Sequence, residues 1–289
     1  MLLPSSDQWR VTLLTGRAPP PGYFTRGGTA GRPGVRLAPP CESFGVHPTL
    51  ELTGERTLPG IPAENYWFRR HEAAYDALVP FCTGAVVLEA GCGEGYGADR
   101  IAAVAGAVIG LDYDRAAVGH VAAAYPRVRA VRGNLAGLPL KTGSVDVVAS
   151  LQVIEHLWDQ PGFLAECARV LRPAGTLLLT TPNRLTFSPP NRPLNPFHHR
   201  ELDPAEFAAL LTEGGFEVSR LLGLRHGPRL RRLDRRFGSL VDAQLAGPPA
   251  TWHLELRRAV ARIRTADFVL SPDELDGCLD LVAVAVKRP

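Results

Sequence analysis

The sequence predicts an α/β fold: a doubly wound, mainly parallel sheet of seven strands with helices on both faces. Three observations carry this. From about residue 86, short β-branched runs alternate with stretches of helical periodicity. A glycine-rich loop, Gly91-Cys92-Gly93-Glu94-Gly95, follows the first such run. An acid, Asp112, ends the second.

The elements follow in order. ENYWFRRHEAAYDALV (64–79) places Trp67, Ala74, Tyr75, Leu78 and Val79 at helical spacing. VVLEA (86–90), AVIGLD (107–112), VRAVRG (128–133) and VDVVAS (145–150) read as four strands. Asp114 can cap the helix after the second. A helix over about 161–171 has Pro161 in its first turn, where a missing N–H is harmless. Arg172-Pro173-Ala174-Gly175 is expected to stop it before strand TLLLTTP (176–182). Asp203-Pro204-Ala205-Glu206 is a capping box opening a helix that buries Phe207, Leu210 and Leu211 and ends at Gly214-Gly215. FEVSRLLGL (216–224) and LDLVAVAV (279–286) complete the seven. Residues 225–278 form an Arg-rich, mostly helical insertion before the last strand.

Residues 1–47, rich in Pro, Gly, Ser and Arg, lack apolar periodicity and read as a disordered or loosely attached tail. The folded domain is expected over 48–289. Across all 289 residues, 45% are hydrophobic and 21% charged, as in an ordinary globular protein. The formal charge of +3 is too small to imply nucleic-acid binding by itself. No apolar run approaches the ~18 residues of a membrane span. The start, MLLPSSDQWR, does not read as a signal peptide. The five cysteines (41, 82, 92, 167 and 278) are scattered and odd in number, which favours a reducing cytoplasm over a disulfide or zinc framework.

The glycine loop lets the backbone turn sharply and approach a ligand closely. Ligands of such sheets lie beyond the carboxyl ends of the strands. There Asp112 can accept both hydroxyls of a ribose. A dinucleotide site would have GxGxxG, with glycine at Tyr96, but the spacing here is GxGxG. Glu89, just before the loop, adds negative charge where a pyrophosphate would sit, and suits a cationic ligand better. A tight turn without a ligand is the plain alternative.

VLEAGCGEGYG, the acid in GLDYD, GNLAGLPL, QVIEHL and VLRPAGTLLLTTPN together resemble successive motifs of the class I S-adenosylmethionine-dependent methyltransferases, whose fold is Rossmann-like. The resemblance covers roughly 85–224 and the final strand. It implies S-adenosylmethionine as cofactor. Gly91, Gly93 and Gly95 would lie along its methionine and ribose, with Cys92 contributing backbone, and Glu89 and Gln152 would stand beside it. Asp112 would bind the ribose hydroxyls and Tyr113 would flank adenine. Asn134 and Leu135 would meet the adenine edge, although many relatives have Asp where Asn134 stands. From about residue 50 to the C-terminus, LTGERTLPGIPAENYWFRRHEAAY, VIEHLWDQ, TPNRLTFSP, NPFHHREL and HGPRL resemble a narrower actinobacterial group. Its mycobacterial members are linked to methylglucose lipopolysaccharide biosynthesis. The resemblance therefore implies a cytoplasmic saccharide acceptor.

QVIEHL (152–157) follows the fourth strand on the ligand rim. It is similar to the ExxEH motif by which some class I O-methyltransferases hold Mg²⁺, including ubiquinone-pathway enzymes and small-RNA 2′-O-methyltransferases. The latter add a later His upstream of a helix-opening Glu. His198, three residues before Glu201, occupies that place, while Gln152 stands where the motif has Glu. Three readings stay open. Glu155, His156 and His198, assisted by Gln152, could hold Mg²⁺ or Mn²⁺. His156 or His198 could instead act as a metal-free base. Glu155 and His156 could also merely open a helix and position the cofactor. His199 reads as a solvent-facing loop residue.

Glu55, Arg56, Arg70 and His71 could close over the methionine carboxylate or the acceptor, or belong to a solvated helix. RHGPRLRRLDRRF (225–237) could bind phosphate or carboxylate groups, or form a solvated face. Trp67 and Trp252 could stack on a sugar, or serve as core aromatics. The expected activity is O-methylation of a saccharide hydroxyl. The alternatives are RNA 2′-O-methylation, a natural-product or quinone-type O-methyltransferase, or a non-catalytic cofactor-binding regulator.

Overall fold

The computed structural model describes residue 50, residues 56–190 and residues 195–289. The expected tail and Glu55 lie outside the described residues. Helix α1 (Asn65–Leu78) comes first and passes through a short 3₁₀ turn (Val79–Cys82) to strand β1 (Val86–Ala90). Then follow α2 (Tyr96–Ala102), β2 (Ala107–Asp112), α3 (Arg115–Ala124), β3 (Val128–Arg132) and β4 (Val145–Leu151). Next come α4 (Gln160–Val170), β5 (Leu171–Pro182), the short α5 (Arg184–Phe187), α6 (Pro204–Glu213) and β6 (Phe216–His226). The insertion contains α7 (Pro228–Phe237), α8 (Leu240–Leu245), α9 (Leu254–Ala261) and β7 (Phe268–Ser271), and β8 (Asp280–Lys287) closes the chain.

The strands form one sheet in the order β3-β2-β1-β4-β5-β8-β6-β7. Strands β1 to β5 pair in parallel, while β8 runs antiparallel to both β5 and β6. The doubly wound sheet is as expected, with eight strands instead of seven. The extra one, β7, comes from the insertion. Its residues 268–271 pair with the end of β6, Arg225 against Val269 and His226 against Phe268.

Side chains alternate across a strand, so each buried strand feeds two cores. Val87, Val147 and Leu178 pack with α1, α2, α3 and the insertion helices on one face. Leu88, Val148, Leu177 and Leu179 pack with α4 and α6 on the other. Parallel strands covered on both sides explain the unbroken apolar runs VVL and VV. Asp114 caps α3 through Ala116 N, and Asp203 with Glu206 forms the capping box of α6. Residues 172–175 do not separate α4 from its strand. Leu171 already pairs with Val145, and the register shifts before Val147 meets Thr176. The expected stop is therefore a bulge within β5, with Ala174 at φ 58°.

Helix α1 is not a solvated surface helix: Tyr66, Phe68, Ala73, Ala74, Tyr75 and Leu78 are buried. Asn65 Nδ2 donates to the carbonyls of Val260 (2.9 Å) and Ile263 (2.8 Å), tying α1 to the insertion. Arg70 pairs with Asp280 at the head of β8, at 2.6 Å from Nε and 2.5 Å from the second guanidinium nitrogen. The strand order reverses between β1 and β4, which opens a crevice beyond their carboxyl ends. The glycine loop and QVIEHL both emerge there.

Candidate active site

The glycine loop is shaped by backbone demands. Gly91, Gly93 and Gly95 all have positive φ (83°, 54° and 101°). Gly95 has no room for a side chain either, since an added Cβ would lie 2.6 Å from Val121 Cγ2. At Gly91 it would lie 2.7 Å from Val153 Cγ2, so QVIEHL packs directly on the loop. At Gly93 it would meet nothing within 4 Å. That open side is where a ligand could lie against the backbone. Cys92 turns its side chain into the core, leaving only its backbone to the loop.

Asp112 fixes this loop. Its Oδ2 accepts from Gly93 N at 2.9 Å and its Oδ1 from Asp114 N at 2.9 Å. Each carboxylate oxygen retains a lone pair for a ribose hydroxyl. Tyr113 beside it is 77% exposed, a ring face on the rim. Asn134 is exposed, and its Oδ1 accepts from Ala136 N (3.0 Å). Leu135 packs on the α4 side of the core.

Glu89 is 0% exposed in the middle of the sheet. Tyr75 donates to its Oε1 at 2.5 Å, and its buried Oε2 has no hydrogen-bond partner among the described residues. Burial pushes its pKa up to about 8, against the Tyr75 hydrogen bond, with Asp112 adding to the rise. An orphaned buried carboxylate oxygen fits a cationic group such as the amino group of a methionine moiety.

The second cluster sits at the end of β4. Gln152 has φ 57°, and both its backbone N and its Nε2 donate to Thr180 Oγ1 (3.1 and 3.2 Å). Its amide nitrogen is thus tied to β5. Glu155 is 1% exposed, and its Oε2 accepts from Thr181 Oγ1 at 3.1 Å. Burial raises its pKa to about 8, and Asp280 and Glu201 add to the rise. Glu155, His156 and His198 each bring one potential ligand atom, all within 4.8 Å of one another.

The histidines are oriented from behind. His156 Nδ1 donates to Phe197 O at 3.0 Å, which puts the lone pair on Nε2, 3.9 Å from Glu155 Oε1. His198 Nδ1 donates to Glu201 Oε1 at 2.6 Å, which puts its lone pair on Nε2 as well. A carboxylate or carbonyl behind each imidazole is the arrangement that orients metal-bound histidines. Burial lowers the His156 pKa, keeping the ring neutral. Phe187 stacks on His198, with ring centroids 5.5 Å apart.

Other expected contributors have partners within the protein. Arg56 pairs with Asp114 (2.6 Å). Arg70 is committed to Asp280, and half-buried His71 lies within hydrogen-bond distance of Thr57 and Tyr96. Trp67 packs edge-on to Tyr66, and Trp252 Nε1 donates to the carbonyls of Gln244 and Gly247. In the Arg-rich segment, Arg229 and Arg236 pair with Asp267 and Glu255. His199 is exposed, as expected, and stacks on Trp158 at 3.8 Å. Sequence reading missed Tyr75 as the partner of Glu89, Thr181 as that of Glu155, and Glu201 as that of His198. The i, i+3 spacing of His198 and Glu201 was the only local signal among them.

Comparison with known proteins sharpens this picture. A family profile described as a methyltransferase domain matches residues 88–179. A Mycolicibacterium smegmatis protein named a probable S-adenosylmethionine-dependent methyltransferase is 58% identical over 245 residues, covering 82% of this chain and 95% of the relative. The chain belongs to the S-adenosylmethionine-dependent methyltransferases. A Mycobacterium tuberculosis protein, also named a probable S-adenosylmethionine-dependent methyltransferase, is 54% identical over 259 residues, 86% of this chain and 94% of its own. Among solved structures, the complex of a Haloferax volcanii methyltransferase with the activator Trm112 aligns with TM-score 0.55 at 20% identity. That alignment covers 79% of this chain and 94% of the other, and it supports the methyltransferase fold. No described helix of this methyltransferase is long and apolar enough to cross a membrane.

Proposed function

We propose that this methyltransferase transfers its methyl group to a hydroxyl of a saccharide, with a divalent cation, Mg²⁺ or Mn²⁺, held by Glu155, His156 and His198. The observation that carries the proposal is the convergence of those three side chains within 4.8 Å, each histidine backed by its own acceptor. The donor set of one carboxylate and two imidazoles fits Mn²⁺ well and admits Mg²⁺.

Gly91, Gly93 and Gly95 would cradle the cofactor's methionine and ribose, Asp112 its ribose hydroxyls, Glu89 its amino group, and Tyr113, Asn134 and Leu135 its adenine. When bound, S-adenosylmethionine supplies a methyl group already activated on sulfonium. The protein must then align the acceptor and dispose of its proton. A cation at Glu155, His156 and His198 would lower the pKa of an acceptor hydroxyl. The half-buried His156, whose pKa is lowered by desolvation, favours a second reading, in which its Nε2 takes the hydroxyl proton unaided.

The test offers methyl-labelled S-adenosylmethionine with neutral gluco-oligosaccharides, quinols and short RNAs, each with and without Mn²⁺. Label should enter the oligosaccharides, and more with metal. Label confined to RNA or quinol would overturn the saccharide assignment. Cofactor binding with no transfer to any acceptor would favour a regulatory role.

A further inference from the structure

A second concave site lies beside the histidine cluster, on the same rim of the sheet. Its cavity of about 430 Å³ is bounded by α5, the end of β6, the segment leading into β8, and the insertion helices α7 and α8. That volume lies within the ~300–1,000 Å³ of small-molecule sites. Phe187 lines it, and the same ring stacks on His198. The aromatic wall is therefore shared between the cavity and the proposed chemistry. It is also firmly placed. Asn183, which caps α5, donates to the carbonyls of Leu275, Asp276 and Cys278, and Thr186 Oγ1 donates to Cys278 O at 2.7 Å.

The charge of the lining decides the ligand class. The described lining carries both signs: Arg70 and Arg225 are paired with Asp280 and Glu274, and Arg231, Asp234 and Asp242 lie beside them. His226, also in the lining, stays uncharged at neutral pH because burial pulls its pKa down to about 4. Neither sign dominates the described lining. A polyanion entering here would find carboxylates interspersed with the guanidiniums, whereas nucleic-acid grooves are dominated by Lys and Arg. A neutral polyol offers donors to the carboxylates, acceptors to the guanidiniums and a C–H face to Phe187. A larger cavity of about 590 Å³ has the opposite character, with Arg69, Arg229, Arg262 and Arg264 against Asp267. None of its lining residues stacks on the histidine cluster as Phe187 does.

We propose that the cavity between β6, β8 and the insertion is the acceptor pocket, and that it selects an uncharged saccharide chain over a polyanion, with Phe187 aligning one sugar ring toward His198. This rests on the saccharide reading above, but it assigns the site and the specificity to residues that reading does not use.

Gly277 supplies the test. It lines the cavity, its backbone lacks positive φ, and an added Cβ would meet nothing within 4 Å. Gly277→Phe should fill the pocket with little disturbance to the fold, and Gly277→Ala serves as its control. Binding of neutral gluco-oligosaccharides to the full chain loaded with S-adenosylhomocysteine is measured by calorimetry, alongside KM for transfer. The expected result is at least a tenfold loss of affinity and rise in KM for Gly277→Phe, near-wild-type values for Gly277→Ala, and unchanged S-adenosylhomocysteine affinity. The wild type should also prefer neutral chains to oxidised chains bearing uronic acids. If the wild type methylates the oligosaccharide and Gly277→Phe does so with the same KM, the pocket assignment is overturned and the saccharide reading stands. If the wild type neither binds nor methylates neutral chains, both fall. Should Gly277→Phe fail to fold, Gly277→Leu and Arg231→Ala carry the same comparison.

Discussion

At the residue scale, Glu89 and Glu155 are buried carboxyls with pKa values raised by burial from 4.5 to about 8. A carboxyl raised on folding stabilises the protein fully below its unfolded pKa and loses that contribution as pH rises through the folded value. The cofactor-free protein should therefore lose stability from about pH 5 to 8. Glu89→Gln, which stays neutral, should flatten that slope in melting temperatures taken across this range. An unchanged slope would show that Glu89 is not held protonated. Asp112→Ala removes the acceptor for Gly93 N and the proposed ribose contact together. It should weaken S-adenosylmethionine binding at least tenfold, or about 1.4 kcal/mol, by calorimetry. Equal affinity would remove Asp112 from the site. Glu201→Gln should reduce Mn²⁺ affinity ~10–100-fold while leaving cofactor binding intact, because Glu201 orients the His198 ring. Residues that follow one another along a motif, such as Gly91–Gly95 or Glu155–His156, were legible in the sequence. Their supports were not. Tyr75 reaches Glu89 only because α1 lies over β1, and no local pattern states that packing.

At the element scale, α1 is fastened to the sheet through charge. Arg70 and Asp280 are both buried and paired, so removing one leaves the other uncompensated. Asp280→Ala should cost ~3–5 kcal/mol in denaturant unfolding. A loss below about 1 kcal/mol would mean that solvent reaches the pair. The sequence showed Arg70 on a helix but could not show a carboxylate 210 residues away. It therefore read as a candidate ligand contact. Strand positions were legible because buried parallel strands are short apolar runs bounded by turn residues. The bulge at 172–175 was not, because Pro and Gly mark a turn and an outward loop of a strand alike. Strand β7 was missed for another reason. FVLS is short, and only its pairing with Arg225 and His226 makes it a strand.

At the scale of the whole molecule, strand order brings the glycine loop and the histidine cluster to one crevice, with Gly91 packed on Val153. The insertion adds the neighbouring cavity at the far side of Phe187. The proposed cofactor loop, proposed metal ligands and proposed acceptor pocket thus share one rim of one sheet. The motifs made the cofactor half of that rim legible. The acceptor half depends on how α7, α8 and the turn at Leu275–Gly277 fold back over β6, which residue spacing does not encode. The most direct test of the proposed metal-assisted chemistry uses one metal-stripped sample of the full chain with S-adenosylmethionine and a neutral gluco-oligosaccharide. Methyl transfer is followed as Mn²⁺ is titrated in, beside His198→Ala. The prediction is little transfer without metal, recovery on a saturable curve, and no recovery in His198→Ala. Full turnover by the metal-stripped wild type would contradict it.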